Sequence, residues 1–555
     1  MTRLPDWTDI DVDVVIIGAG FAGIYAVHHL RRNGFRVRAF EAGSGVGGTW
    51  YWNRYPGARC DVESLAYQYT FDRALVEEWT WSERFATQPE ILAYAEWVAD
   101  KLDVRSDITF NTRVDSCVYE EDSATWLIST SDGGRTRAHY CISAAGCLSA
   151  ASTPRFPGVA DYEGEVYHTG AWPHEAVDFS GKRVAVIGTG SSGIQVIPEI
   201  AKQAAHLTVF QRTPNYTLPA RNRPLYRDES ITFRHNLDTF RERARQCPAG
   251  QAAVFGLNGV GEVSDKDRSD ILDRYWNNGG NIFLTSFNDI MIDTDANARV
   301  AEFVRDRIAT VVDDAETARK LTPSDYPIGA KRICVDTDYY VTFNSPTVDL
   351  VDVREDPIVE FTAHGIATRQ NTFEFDAIVM ATGYDGMTGP LTRIDIRGRD
   401  GARLRDVWSD GPQNYLGVSV HGFPNLFTIT GPGSPSVLAN VIAGIQQHVE
   451  WITDLLVHLR DNGIGEIEAD ADAQSQWVQH VNDVAAQTFY VKAKSWYLGD
   501  NIEGKTRVFM PYPAGYNIYA DICDGVKAAH YQGFIVKPER APADSSESVP
   551  AGNAR

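Results

Sequence analysis

Two glycine-rich strand-turn-helix-strand units, two further apolar strands that run into glycine turns, and a charged stretch of helical pattern between them predict an α/β protein. Its architecture reads as two dinucleotide-binding, Rossmann-like domains with a mostly helical insertion. The first unit runs from Val12 to Glu41: an apolar strand DVVIIG, a helical stretch IYAVHHLRRNG and a second strand FRVRAFE. Gly18, Gly20 and Gly23 form GxGxxG at its first turn. Without Cβ atoms the chain turns sharply there and a diphosphate can approach the helix N-terminus. Glu41 stands eighteen residues beyond Gly23, at the end of the second strand, where a carboxylate suits an unphosphorylated ribose.

The same grammar recurs at residues 181–213, with Gly188, Gly190 and Gly193 at the turn and Ser191 opening the helix. Here the position eighteen residues past the last glycine is Gln211, followed by Arg212. A neutral residue beside an arginine removes repulsion from a 2′-phosphate and adds attraction, so this copy is expected to prefer NADP over NAD. Residues 140–146 (YCISAAG) and 375–385 (FDAIVMATGYD) read as buried strands entering glycine turns, where the chain crosses between the two domains. Residues 225–330 carry charged segments such as DANARVAEFVRDRIATVVDD and form the expected helical insertion. IAGIQQHVEWITDLLVHL at 442–459 is an amphipathic helix expected to pack across the first sheet.

The expected division is therefore 1–145 and 381–540 for a split FAD domain, 146–224 and 331–380 for a split NADP domain, 225–330 for the insertion, and 541–555 for a polar tail too poor in apolar residues to order. Two unlike dinucleotide folds in one chain fit a resident FAD reduced by incoming NADPH.

Composition narrows the acceptor. The chain has 555 residues, 52 basic against 74 acidic side chains and a formal charge of -22. That field argues against a nonspecific nucleic-acid binder or a sensor of anionic membranes, so no nucleic-acid or membrane partner is expected. The first residues, MTRLPDWTDID, lack the apolar core of a signal peptide, and no apolar run approaches the roughly 20 residues needed to span a bilayer. A cytoplasmic monomer or weak homo-oligomer is the expectation. Seven scattered cysteines (Cys60, Cys117, Cys141, Cys147, Cys247, Cys334, Cys523) include no CxxC pair, which disfavours a dithiol centre and a zinc ribbon. No metal is expected, and dioxygen or a separate electron carrier is left to accept the electrons.

Just before the second glycine turn stands Tyr162-Glu163-Gly164-Glu165-Val166-Tyr167-His168-Thr169-Gly170-Ala171-Trp172-Pro173. This resembles the fingerprint of type I Baeyer-Villiger monooxygenases, Phe-x-Gly-x-x-x-His-x-x-x-Trp-Pro, with Tyr162 in place of phenylalanine. GGTWYWNRYPGARCDVES at 47–64, Lys331-Arg332, GPGSPSVL at 431–438 and SWYLGDNIEGK at 495–505 look like family segments too, so the resemblance spans about residues 12–535. Its phenylacetone and steroid monooxygenase branch is the nearest likeness.

The resemblance implies an FAD peroxyflavin that attacks a ketone carbonyl, a tetrahedral intermediate, migration of one carbon substituent and release of an ester or lactone. Hydrophobic ketones are the implied substrates, whether linear, aromatic, cyclic or steroid-like, with sulfide oxidation as a side activity. Arg332 matches the family's catalytic cation and Asp61 the carboxylate that orients it. Gly48 and Trp50 fall in the segment beside the flavin; Arg212, Thr213 and Lys331 match the NADPH phosphate contacts; Trp496 matches a residue closing over nicotinamide and substrate. Of the fingerprint residues Gly164, His168 and Trp172, His168 is read as coupling domains rather than as a base, and Trp172 as packing the linker. GPGSPSV is read as a shaped flavin-side loop, and Cys147 as a pocket residue rather than a nucleophile. A heteroatom monooxygenase and a flavin reductase or flavin-binding protein without oxygen transfer remain open.

Overall fold

The computed structural model describes residues 10–538; the expected polar tail at 541–555 lies outside the described residues. Strand Val12–Ile17 is buried at every position, which explains its unbroken apolar run: a parallel strand covered on both faces has no solvent side to alternate toward. It lies between Val37–Phe40 and Arg135–Ser143 in a sheet that continues to Ile108–Thr109. The far edge of Arg135–Ser143 pairs antiparallel with Thr125–Thr130 and parallel with Leu426–Thr428, so residues from beyond 395 complete a sheet begun at residue 12.

Helix Phe21–Arg32 covers one face of this sheet together with helix Val441–Asp461, whose N-cap Asn440 accepts a hydrogen bond from the Ile442 N–H. Ile445, Val449, Ile452, Leu456 and Leu459, three or four residues apart, form the stripe that the sequence pattern anticipates.

The second sheet is all parallel, in the order Val348–Asp352, His206–Gln211, Arg183–Ile187, Ala377–Met380, Glu165–His168. Helix Ser191–Ala201 packs on one face. The other face carries an antiparallel ribbon of Ile358–Thr362, Gly365–Thr368 and Thr372–Glu374, whose Phe361 and Ile366, with Phe375 just beyond it, meet Ala185, Phe210 and Ile378. The sequence pattern had not singled out this ribbon.

The insertion is helical, and its helices divide between the two cores. Phe233 and Leu237, from Arg227–His235 and Leu237–Gln246, pack on Val76 at the first domain. Leu272, Val300, Val304, Ile308 and Leu321, from Asp265–Asn278, Thr294–Val311 and Ala315–Leu321, join the second. Among the described residues no helix is long and apolar enough to cross a membrane.

Candidate active site

The two glycine turns are backbone copies of one another. Gly18 and Gly188 sit at φ +102° and +109°, a region costly to any other residue. Each N–H is donated to the end of the neighbouring strand, Phe40 or Phe210, at 2.8 and 3.0 Å. A Cβ on Gly18 would lie 2.7 Å from the Ala144 oxygen, and one on Gly188 2.5 Å from that of Ala381. Gly23 and Gly193 press against the turn itself, with a Cβ falling 2.0 Å from the Gly18 oxygen and 2.1 Å from the Gly188 oxygen. The two crossings thus enter as equivalent strands, each supplying the carbonyl beneath a turn.

The middle glycines differ. A Cβ on Gly190 would meet nothing within 4 Å, so the space beside this helix N-terminus is open, as a bound diphosphate requires. Gly20 instead faces Gly48, whose own Cβ would lie 2.8 Å from the Gly20 Cα. Gly48 is at φ +54°, Gly47 donates its N–H to the Ala19 oxygen at 3.0 Å, and Trp50 is buried with its indole N–H on the Tyr67 hydroxyl at 3.1 Å. Segment 47–52 therefore roofs the first turn, and the second has no such roof.

Glu41 is buried, each carboxylate oxygen accepting one backbone N–H, from Ala19 and Gly43, at 2.8 Å. A second lone pair on each oxygen remains for ribose hydroxyls. In the other copy Gln211 turns inward and donates to the Lys320 oxygen at 2.8 Å, while Arg212 is exposed and makes no hydrogen bond or ion pair among the described residues. Lys331 lies with Nζ 4.3 Å from the Tyr326 ring centre, and burial lowers its pKa, with the Asp325 charge opposing that shift and the Arg212 charge adding to it. Thr213 follows, its carbonyl accepting from the Thr189 hydroxyl at 3.2 Å. Ser191 Oγ stands 3.4 Å from the Cys334 Sγ. The donors and cations at the two turns fit two dinucleotides, one with and one without an extra phosphate.

Asp61 and Arg332, far apart in sequence, meet in a bidentate pair: Nε and Nη2 donate to the two carboxylate oxygens at 2.9 and 2.8 Å. Nη1 donates to the Val437 oxygen at 2.5 Å, in the GPGSPSVL loop. Burial alone would lower the guanidinium pKa, but Asp61 and the Tyr497 hydroxyl more than offset it, so the cation is secured. Asp61 and Val437 take three of the five N–H donors of an arginine and the Tyr497 hydroxyl also faces the guanidinium, so at most two remain for a ligand. Beside the pair lies an apolar cluster of Cys147, Met387, Val437, Tyr497 and Phe509, with Leu148, Leu438 and Trp496 partly exposed at its margin. Burial raises the Cys147 pKa, which keeps the thiol protonated and supports a lining role. The Trp496 ring covers Gly386, where a Cβ would fall 2.8 Å from it. Tyr497 and the Val437 carbonyl went unnoticed in the sequence because neither has a motif: one is a neighbour of a singled-out tryptophan and the other is backbone.

The fingerprint joins the crossings. His168 Nδ1 accepts the Gly170 N–H at 2.9 Å, so Nε2 carries the proton and faces the Ser152 oxygen at 3.1 Å; the Thr382 hydroxyl donates to that same oxygen at 2.7 Å. Ser152 follows the first crossing strand and Thr382 the second. Burial lowers the His168 pKa, which holds the ring neutral. Tyr162, the departure from the fingerprint, donates to the Phe375 oxygen at 2.9 Å, and its ring lies where a Gly164 Cβ would be. Trp172 is buried against Tyr167 and Phe179.

A family model for pyridine nucleotide-disulphide oxidoreductases matches residues 15–229. All seven cysteines are free and buried. A Baeyer-Villiger monooxygenase of Pseudooceanicola batsensis is 40% identical over 533 residues, 95% of this chain and 96% of the relative. A phenazine N-monooxygenase of Lysobacter antibioticus is 40% identical over 532 residues, 94% of this chain and 97% of the relative. Among solved structures, an oxidized steroid monooxygenase bound to NADP superposes with a TM-score of 0.91 at 46% identity, covering 95% of this chain and 99% of the other.

Fold, paired nucleotide turns and relatives together define an FAD- and NADPH-dependent flavoprotein monooxygenase. Within that class the chain belongs to the type I Baeyer-Villiger monooxygenases, the class B flavoprotein monooxygenases, and is related to their cyclohexanone and steroid monooxygenase branch.

Proposed function

We propose that the protein converts hydrophobic ketones to esters or lactones, with FAD at the roofed turn (Gly18, Gly20, Gly23, Glu41, Gly48, Trp50) and NADPH at the open one (Gly188, Gly190, Ser191, Gly193, Arg212, Thr213, Lys331). The overall reaction is ketone + O2 + NADPH + H⁺ → ester + NADP⁺ + H2O. FAD, when bound, supplies the redox chemistry that links NADPH to dioxygen. The protein's own part is to hold two cofactors at one seam, exclude water and place a fixed cation where negative charge develops on oxygen.

The observation that carries this reading is the Asp61–Arg332 pair beside the apolar cluster. Asp61 occupies two donors and Val437 a third, which fixes the guanidinium plane and leaves the remaining donors to steady a ketone oxygen as it becomes an alkoxide. Cys147, Leu148, Val437, Leu438 and Trp496 form a wall suited to linear, aromatic, cyclic and steroid-like ketones. His168 acts by tying the two crossings together, and its neutral, doubly bonded ring is ill placed to serve as a base. The same reading keeps the flavin domain split around residues 146–380, with the NADP domain split in turn around the insertion.

The test is mass spectrometry of products from a panel of such ketones incubated with NADPH and ¹⁸O2. The expected product is an ester or lactone carrying one labelled oxygen, with sulfides oxidised as a side reaction. Labelled oxygen found only on nitrogen or sulfur across the panel would move the assignment to heteroatom oxygenation.

A further inference from the structure

Gln195 lies in helix Ser191–Ala201, which begins at the open glycine turn, yet its side chain serves the other domain. Its Oε1 accepts the Tyr55 hydroxyl at 2.8 Å and its Nε2 donates to the Arg59 carbonyl at 3.0 Å. Its backbone oxygen is where Gly57 comes closest: a Cβ on Gly57, at φ +81°, would lie 2.4 Å away, so only glycine lets the segment settle there. Tyr55 and Ala58 are buried in the core of the NADP-side domain, although the chain reaches them from the flavin-side sheet. Two residues past Arg59 comes Asp61, which holds Arg332. The carboxylate that orients the proposed cation is thus carried on a short segment grasped from both sides by one glutamine of the nucleotide helix.

We infer that Gln195 is a positioning residue that couples occupation of the NADP turn to the placement of the Asp61–Arg332 pair. The inference rests on the functional reading above. A dinucleotide at the helix N-terminus orders the helix. Through the paired bonds of Gln195 that order passes to residues 55–61, and so to the guanidinium. A segment that drifts lets Asp61 swing, and the cation no longer meets the substrate oxygen. NADPH is then consumed without ester: NADPH + H⁺ + O2 → NADP⁺ + H2O2.

The experiment compares Gln195→Leu, Gln195→Glu and Tyr55→Phe in the FAD-loaded protein, with three readouts: FAD content and melting temperature, the ester-to-peroxide ratio per NADPH, and amide hydrogen exchange of residues 55–61 with and without NADP⁺. In the parent, NADP⁺ slows exchange in 55–61. In Gln195→Leu, which keeps the bulk and loses both bonds, that slowing disappears, NADPH oxidation stays within about threefold of the parent and ester per NADPH falls about tenfold, as a misplaced catalytic group requires. Gln195→Glu, which keeps the acceptor for Tyr55 and loses the donor to Arg59, and Tyr55→Phe, which loses the Tyr55 bond and keeps the one to Arg59, fall between. Tyr55→Phe keeps the packing, so it carries the test if Gln195→Leu folds poorly.

Unchanged ester yield and NADP⁺-dependent protection in Gln195→Leu, or in both other variants, overturns the inference. A lower melting temperature with NADPH oxidation and ester falling in equal proportion overturns it too, since that is the signature of a structural role. Arg332→Ala, run alongside, separates the two levels: if it abolishes ester while the Gln195 variants keep the parental ester per NADPH, the coupling fails and the functional reading stands; if it makes ester at the parental rate, the functional reading itself fails.

Discussion

The two nucleotide turns share nearly every backbone contact and differ in what lies over them. Around Gly18 and around Gly188 the same carbonyls crowd the same positions, because a strand-turn-helix of this tightness has one solution. At the first, Gly48 and Trp50 close a second layer over the turn and the acidic Glu41 ends the strand. At the second, Gly190 opens on free space and Arg212, unpaired among the described residues, stands exposed at the end of the neighbouring strand. A roofed site suits a cofactor that stays and an open one a cofactor that must come and go each turnover. Backbone geometry makes a dinucleotide site, and the residues around it decide residence and identity.

That contrast can be broken most forcefully at the glycines. In Gly193→Ala the new methyl meets a backbone oxygen at 2.1 Å, so the NADP half is expected to lose about 3 kcal/mol or more and NADPH oxidation to collapse. Gly23→Ala is the mirror experiment, with the loss appearing as protein purified without yellow flavin. Gly190→Ala, facing open space, is expected to leave the melting temperature nearly unchanged while raising KM for NADPH about tenfold, a cost near 1.4 kcal/mol. Thermal unfolding and steady-state kinetics on the three variants distinguish these outcomes.

The strand end comes next. Arg212→Gln removes a charge-assisted contact worth about 1.5–3 kcal/mol, so the NADPH-over-NADH ratio of kcat/KM is expected to fall by about tenfold to a hundredfold while FAD content is unaffected. A ratio that stays put would show that Lys331 alone reads the phosphate.

Stability is expected to depend on pH through two histidines, His168 at the fingerprint and His448 in the first domain's core. Half-buried His168 has a pKa below the ordinary 6.5, and buried His448, on the flavin side, is pushed down to about 4, each chiefly by loss of solvent. The unfolded chain therefore binds more protons than the folded one below pH 6.5, and the stability held above that value is lost as pH falls toward the folded pKa values. His168→Gln is expected to flatten the upper part of that decline in melting temperature measured from pH 7.5 downward. The smallest effect is expected from Tyr162→Phe, which restores the family's usual residue, gives up the bond to the Phe375 oxygen and lowers stability by about 1 kcal/mol with no change in NADPH oxidation.

Much of the architecture was legible in the sequence because it rests on local rules. Glycine spacing, buried parallel strands and the stripe of helix Val441–Asp461 each follow from one stretch of chain. The Asp61–Arg332 pair was reachable only by resemblance, since 271 positions separate the partners and only tertiary folding brings them together. The roof over Gly20 was half visible: GGTWYW was noticed, but the backbone crossing of Gly20 and Gly48 leaves no trace in spacing. The inward turn of Gln211 was hidden as well, because the rule for that position concerns charge and says nothing about where a neutral amide finds its hydrogen bond. The ribbon at 358–374 escaped because its short strands alternate weakly and its apolar side chains make sense only against the sheet beneath.

The central claim is that the two nucleotide sites serve one oxygenation, directed by a cation that Asp61 holds in place. Arg332→Ala, verified to retain FAD, tests it most directly when assayed with NADPH, ¹⁸O2 and a hydrophobic ketone. The account predicts continued NADPH oxidation, with electrons appearing as hydrogen peroxide and labelled ester reduced by at least about a hundredfold, the scale set by removing an oxyanion-stabilising group. Labelled ester formed at the parental rate by that variant would contradict it.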